Sequence, residues 1–344
     1  MKLVTLLYCN SVAMDYYDIF QYTSKYLSLK DKINLMKTCK QYYFWGETLF
    51  KNNIVKITHC NLNWIDKYQP RLKINQLVHI DFKNIVIIEL SVKNLKQLPD
   101  SIERLHNLQE LYLDINLLTS IPDSIGQLQS LKVLNLGRNQ LTSLPDSIGQ
   151  LHSLQRLYLA TNRLTLLPES IGQLSCLQVL NASKNKIECV PDSIGQLHNL
   201  QILNLDCNLL RQLPESIGQL SNLQVLDLDY NQLTELPKFF GQLSNLQILD
   251  LNYNQLTQLP ESFGQLNILH TLTIQCNKLL RLPNSIGQLK CLQHFNLNNN
   301  LLIDLPESIE QLSSLKTIYL QDNEANLYNL IMYFKNHLHR IDFM

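Results

Sequence analysis

Residues 131–151 read Leu131-Lys132-Val133-Leu134-Asn135-Leu136-Gly137-Arg138-Asn139-Gln140-Leu141-Thr142-Ser143-Leu144-Pro145-Asp146-Ser147-Ile148-Gly149-Gln150-Leu151. In the first half Leu134 and Leu136 flank Asn135, a period of two that predicts a short strand. In the second half Pro145 is followed at once by an acidic residue and a serine, the composition of a helical or 3₁₀ start. Gly149 inside that segment disfavours a longer helix. The unit reads as a strand, a tight bend near Asn139 and a short return.

The unit recurs at a constant step. Pro99, Pro122, Pro145 and their successors to Pro306 keep that step, and of the 11 prolines only Pro70 lies outside it. The glycines from Gly126 to Gly287 and the asparagines from Asn116 to Asn323 keep it too. A fixed period of roughly 20–30 residues marks a solenoid. One unit cannot bury its own leucines. Stacked copies can, with parallel strands about 4.8 Å apart on a concave face and wider-spaced returns behind. The recurring asparagine is expected to be buried at the bend, its amide bonded to the backbone of neighbouring turns. Two copies depart from the pattern. Ala182 stands in for a core leucine, and Phe239 for a serine, with Phe240 taking the inward isoleucine position and leaving Phe239 exposed.

This pattern resembles the leucine-rich repeat family. Ten copies run from Leu108 to Asn323, and a degenerate one (Ile85, Ile88, Leu90, Leu95) precedes them, with Lys93 in place of the asparagine. The Leu-Pro-x-Ser-Ile-Gly-Gln-Leu form is most similar to intracellular, Ras-group-like repeats. The resemblance implies an α/β solenoid over residues 85–323, a horseshoe of about ten or eleven repeats with a parallel concave sheet. Beyond Asn323 the period stops. Leu327, Leu330, Ile331, Phe334, Leu338 and Ile341 then recur at helical spacing, which predicts a capping helix over 324–344.

The segment before the repeats, 1–84, differs in composition. It holds 12 Lys/Arg and 6 Asp/Glu, while the whole chain is neutral with 29 of each. Residues 1–50 read as a helical module and 51–84 as a junction, in which Ile54–Ile57 and Leu77–Phe82 are candidate capping strands. Within the module, Asp18-Ile19-Phe20, Tyr26-Leu27-Ser28-Leu29, Lys30-Asp31-Lys32-Ile33-Asn34-Leu35 and Thr38-Cys39-Lys40 resemble an F-box. The family's usual Leu-Pro opening is replaced by Met14-Asp15-Tyr16. The resemblance implies that Ile19, Tyr26, Leu27, Leu29, Ile33, Leu35 and Cys39 dock an Skp-type linker. The chain would then be an adaptor that presents a bound protein to a cullin–RING ubiquitin ligase, in its own cell or as a pathogen effector in a host. The other reading of the module is a plain helical cap. The chain is then a Ras-group-type scaffold for a signalling protein.

Zero net charge argues against a nucleic-acid binder. No apolar run reaches the length of a membrane span. Eight cysteines without paired clusters agree with a reducing compartment, so an intracellular, monomeric protein is expected. The mostly apolar stretch Leu3–Tyr8 after Lys2, about six residues, is short for a secretory signal. No Cys-x-x-Cys, phosphate loop or nucleophile elbow occurs, and no cofactor, metal or catalytic residue is expected. Asp227 and Asp229 alternate like an acid/base pair, but on an open face they are expected to be solvated and unshifted.

The varying positions near the strands give a charge map of the concave face. Arg138, Arg156, Arg163, Lys184 and Lys186 come early. Asp206, Asp227, Asp229 and Asp250 follow, with Tyr230 and Tyr253 beside them, and Asn296, Asn298 and Asn299 come late. The map predicts a partner with an acidic segment over the first group and a basic one over the second.

Overall fold

The structure is a computed structural model that describes residues 85–323, together with the short strands Val4–Thr5, Val55–Ile57 and Asp342–Phe343. The strands form one open parallel sheet in strict chain order. Its main body runs from Ile85–Glu89 and Glu110–Tyr112 to Thr317–Tyr319, with each strand paired to the equivalent strand of the next copy. Leu134 faces Leu157, for example, and Leu226 faces Leu249. The helical module predicted over 1–50, with its F-box-like residues, lies outside the described residues. Val4–Thr5 within that span is a strand paired with Val55–Lys56. The predicted C-terminal helix also lies outside the described residues, except that Asp342–Phe343 is a strand beside Thr317–Ile318.

Each copy follows the same physical sequence. The middle residue of the strand points inward and is fully buried, as Leu134, Leu157 and Leu180 are. Its two neighbours face the concave side. The return is a 3₁₀ turn, such as Asp146–Gln150, entered from an extended Pro145 (φ −71°, ψ 149°). Ile148 N–H bonds Pro145 O and Leu151 N–H bonds Ile148 O. The proline lacks an N–H that this position does not need. Ile148 and Leu151 are both fully buried, so one turn contributes two apolar side chains to a core continuous from Ile88 to Leu320. Burying a leucine is worth about 1.5–3 kcal/mol, and each copy repeats that gain only because its neighbours cover it.

The asparagines form the expected ladder. Asn139 Nδ2 donates to Leu113 O of the preceding copy (2.9 Å) and to Leu136 O of its own (3.0 Å), and Oδ1 accepts from Leu118 N–H (3.0 Å). Asn162, Asn208, Asn231, Asn254, Asn277 and Asn300 repeat the pattern. The residue before each asparagine is left-handed in every copy, from Ile115 (φ 54°) and Arg138 (φ 52°) to Asn299 (φ 54°), and none of these is glycine. A left-handed L-residue costs roughly 1–2 kcal/mol. The bend that points the asparagine inward imposes it, and aims the preceding side chain outward at the rim of the sheet.

Phe240 is fully buried and stacks on Phe263 of the next copy (centroids 6.1 Å apart), while Phe239 is exposed. Ala182 is fully buried as well.

Candidate protein-binding face

The two outward strand positions, and the second and third residues after each strand, project four parallel rows across the copies, while the residue directly after the strand, such as Leu136 or Leu228, is buried. Outward strand residues lie about 6.7 Å apart along a strand, and neighbouring strands about 4.8 Å apart. The rows are therefore continuous over several repeats.

The structure separates the predicted residues by row. Arg156, Asp227 and Asp250 are strand residues. Asp206 and Asp229 lie two residues beyond Asn204 and Asp227, the last residues of their strands. Arg138, Lys184, Tyr230 and Tyr253 occupy the left-handed bend. Arg163 and Lys186 lie past the asparagine, where their N–H groups bond Leu141 O and Leu164 O. The basic and acidic groups remain segregated.

Over the copies of Asp206 to Tyr253 the acidic residues lie close enough for their charges to act on one another, each held by local hydrogen bonds. Asn204 Nδ2 donates to Asp227 Oδ2 (2.9 Å), and Asp227 Oδ1 accepts from Asp229 N–H (3.2 Å). Asp229 Oδ1 accepts from Tyr230 N–H (2.9 Å), and Asp250 Oδ1 from Asn252 N–H (2.9 Å). The expectation of solvated, unshifted carboxyls fails here. Burial pushes the Asp229 carboxyl up to about 7, and the charges of Asp250, Asp227 and Asp206 add to the rise. Asp227 and Asp250 are raised too, first by burial. The cause is the sheet itself: the constant step between copies places carboxylates one strand apart, between walls of neighbouring side chains. Tyr230 and Tyr253 stack beside them, centroids 4.2 Å apart and 8° from parallel.

The sequence map missed one row. Val179, Ile202, Val225 and Ile248 are successive outward residues of four adjacent strands, paired Val179–Ile202, Ile202–Val225 and Val225–Ile248. Ile202 and Ile248 are 38% and 44% exposed. Arg156 precedes the row and Thr271 follows it. The signal was present in the sequence as an apolar residue kept in an outward slot through four copies.

At the basic end, Gly137, Ala160 and Ser183 reduce the position beyond each strand to small side chains. A shallow depression opens there, with Arg138, Lys184, Tyr158 and Asn135 around it. Asp114 at its edge is already engaged by Ser91 (2.6 Å) and Asn135 (3.0 Å). Arg138, Arg156 and Lys184 are exposed.

A family model described as leucine rich repeat matches residues 106–164, 130–187 and 175–233, and one described as leucine-rich repeat region matches 238–331. The solved structure of a leucine-rich repeat protein of Leptospira interrogans is similar, at 36% identity over 76% of this chain and 78% of that one (TM-score 0.55). A TDR receptor structure matches at 30% identity over 70% of this chain and 44% of that one (TM-score 0.64). A chain from an octameric complex of Latrophilin 3, Unc5D and FLRT2 shares the fold at 21% identity, over 78% of this chain and 86% of that one (TM-score 0.65). No curated protein matches the chain.

Proposed function

The chain belongs to the leucine-rich repeat family, and from that premise we propose that it is a non-enzymatic adaptor whose concave face holds a partner protein. Proteins of this family serve as interaction scaffolds, and FLRT2, represented by its leucine-rich repeats, is part of an octameric complex with Latrophilin 3 and Unc5D. The observation that supports the reading is the segregation of the face. Carboxylates and two stacked tyrosines occupy one block of copies, and arginines and lysines the block before it, while the aliphatic row runs from Val179 in the last basic copy through the acidic copies to Ile248. A partner with a basic segment followed by an acidic one complements both.

The finer reading is an F-box-type substrate receptor. It rests on the sequence of residues 18–40, whose motif order resembles that family. An adaptor of this kind accelerates ubiquitin transfer by raising the effective concentration of the bound protein beside the ligase. The test is co-purification from a eukaryotic lysate, with Ile19→Asp, Leu27→Asp and Leu29→Asp combined as control. Recovery of an Skp-type linker and a cullin by the intact chain alone supports the receptor. Loss of both from a folded intact chain leaves a Ras-group-type scaffold, the reading that the Leu-Pro-x-Ser-Ile-Gly-Gln-Leu repeat form favours.

A further inference from the structure

The aliphatic row and the acidic rows beside it run in the same direction, across the strands. We propose that the block from Val179 to Tyr253 docks a basic amphipathic helix of the partner, lying along the rows with one turn per repeat. The inference rests on the reading of this face as a docking surface and specifies what it holds.

The repeat spacing matches a helix better than an extended segment. Adjacent copies present equivalent side chains about 4.8 Å apart. A helix repeats the same face every 5.4 Å or so, a mismatch of roughly 0.6 Å per repeat, which flexible side chains absorb. An extended segment repeats a face about every 6.7 Å, and loses step by nearly 2 Å at each repeat. Val179, Ile202, Val225 and Ile248 span three intervals, so roughly ten residues of helix cover them. The width fits as well. The aliphatic row, the row of Asp227 and Asp250 and the row of Asp206 and Asp229 together measure about 13 Å across, close to the 10–12 Å of a helix with its side chains.

Chemistry then orients the ligand. One stripe of the helix is aliphatic and packs on Val179, Ile202, Val225 and Ile248. The adjacent stripe is Lys or Arg and meets the four carboxylates. A cation at the outer edge also reaches the Tyr230–Tyr253 stack. Arg156 ends the aliphatic row on one side, with Lys184 at the bend nearby. The negative C-terminal end of the helix therefore points toward them.

The test is a titration of the full chain with a synthetic peptide of about three to four turns, carrying a Leu stripe and an adjacent Lys stripe at helical i, i+3 and i+4 spacing. One control peptide has the same composition in scrambled order, and a second carries prolines that forbid a helix. Three outcomes support the proposal together. The patterned peptide binds at least tenfold more tightly than both controls, and gains helicity on binding. Ile202→Ser with Ile248→Ser, and Asp227→Asn with Asp229→Asn, each weaken it by tenfold or more. Equal binding of the proline peptide overturns the helix, while the face remains a docking surface for a basic segment. Equal binding of the scrambled peptide reduces the site to unpatterned charge and also overturns it. Absence of binding by all three peptides, from a chain that still recovers its partner, overturns the helix and leaves the adaptor reading standing.

Discussion

Tyr230 and Tyr253 lie ring on ring across adjacent copies, 4.2 Å between centroids and 8° from parallel. The fixed step between copies makes the stack, because both occupy the same left-handed bend position (φ 49° each). The Tyr230 hydroxyl beside it, and then the neighbouring Cys276, push the Tyr253 phenol up to about 12. Tyr230→Phe removes the hydroxyl and keeps the ring. Ultraviolet titration of that variant is expected to show Tyr253 ionising closer to the usual value of about 10. An unchanged phenol would rule out the contact.

The acidic block makes binding and stability depend on pH in opposite directions. Asp229 titrates near 7 in the folded chain and near 4 when unfolded. Between those values the folded state holds the extra proton, so this group's contribution to stability falls as pH rises through the window. A cationic partner requires the carboxylate, so its affinity rises over the same range. The groups facing Asp229 are Asp206, Asp227 and Asp250, all of like charge. The Cys207 thiol nearby is pushed up to about 11 and stays protonated. Asp229→Asn keeps the acceptor for Tyr230 N–H. Denaturation midpoints at pH 5 and pH 8 are expected to differ less in this variant than in the parent. An identical difference would place the titration elsewhere.

The asparagine ladder is a side-chain tie between copies that adds to the backbone bonds of the sheet. Asn231, which is 7% exposed, donates to Leu205 O and Leu228 O and accepts from Leu210 N–H. Asn231→Ala leaves those backbone groups without their partner. A buried unpaired group costs about 1–3 kcal/mol, so a loss of roughly 2–4 kcal/mol is expected from urea denaturation. A loss below about 0.5 kcal/mol would show that the backbone finds other partners.

Close stacking of the returns explains one of the period glycines. A Cβ on Gly149 would lie 2.4 Å from Ser170 O of the next copy, which is backbone and cannot rotate away. Gly149→Ala is expected to destabilise the chain by about 1–3 kcal/mol, the usual cost of overpacking, despite alanine's better helix propensity. A stabilised variant would mean that the returns separate easily. The terminal copies carry Glu103 and Glu310 at this position instead.

Much of the fold was legible because one period overdetermines it. Alternation around Leu134 gave the strand, Pro145 and Gly149 gave the short 3₁₀ return, and the recurrence of Asn139 gave the ladder. Phe240 was placed inward and Phe239 outward by register alone. The left-handed bend was not legible at Arg138, Thr161 or Tyr230. Glycine is the usual marker for that conformation, and here the neighbouring asparagine network imposes it. A charge map registers only polar and aromatic groups, so the aliphatic row of Val179, Ile202, Val225 and Ile248 does not show in it. The shifted carboxyls of Asp227 and Asp229 depend on neighbours in the adjacent copies, and a single strand read alone looks solvated.

The most direct test of the central claim is the dissociation constant of the partner recovered by the intact chain, measured against the parent and against Asp227→Lys with Asp229→Lys. Circular dichroism should first establish that both are folded. Docking on the acidic block predicts a loss of tenfold or more for the charge-reversed chain, with a weaker dependence on salt. Equal affinity for both chains would contradict it, and would move the binding surface off these copies.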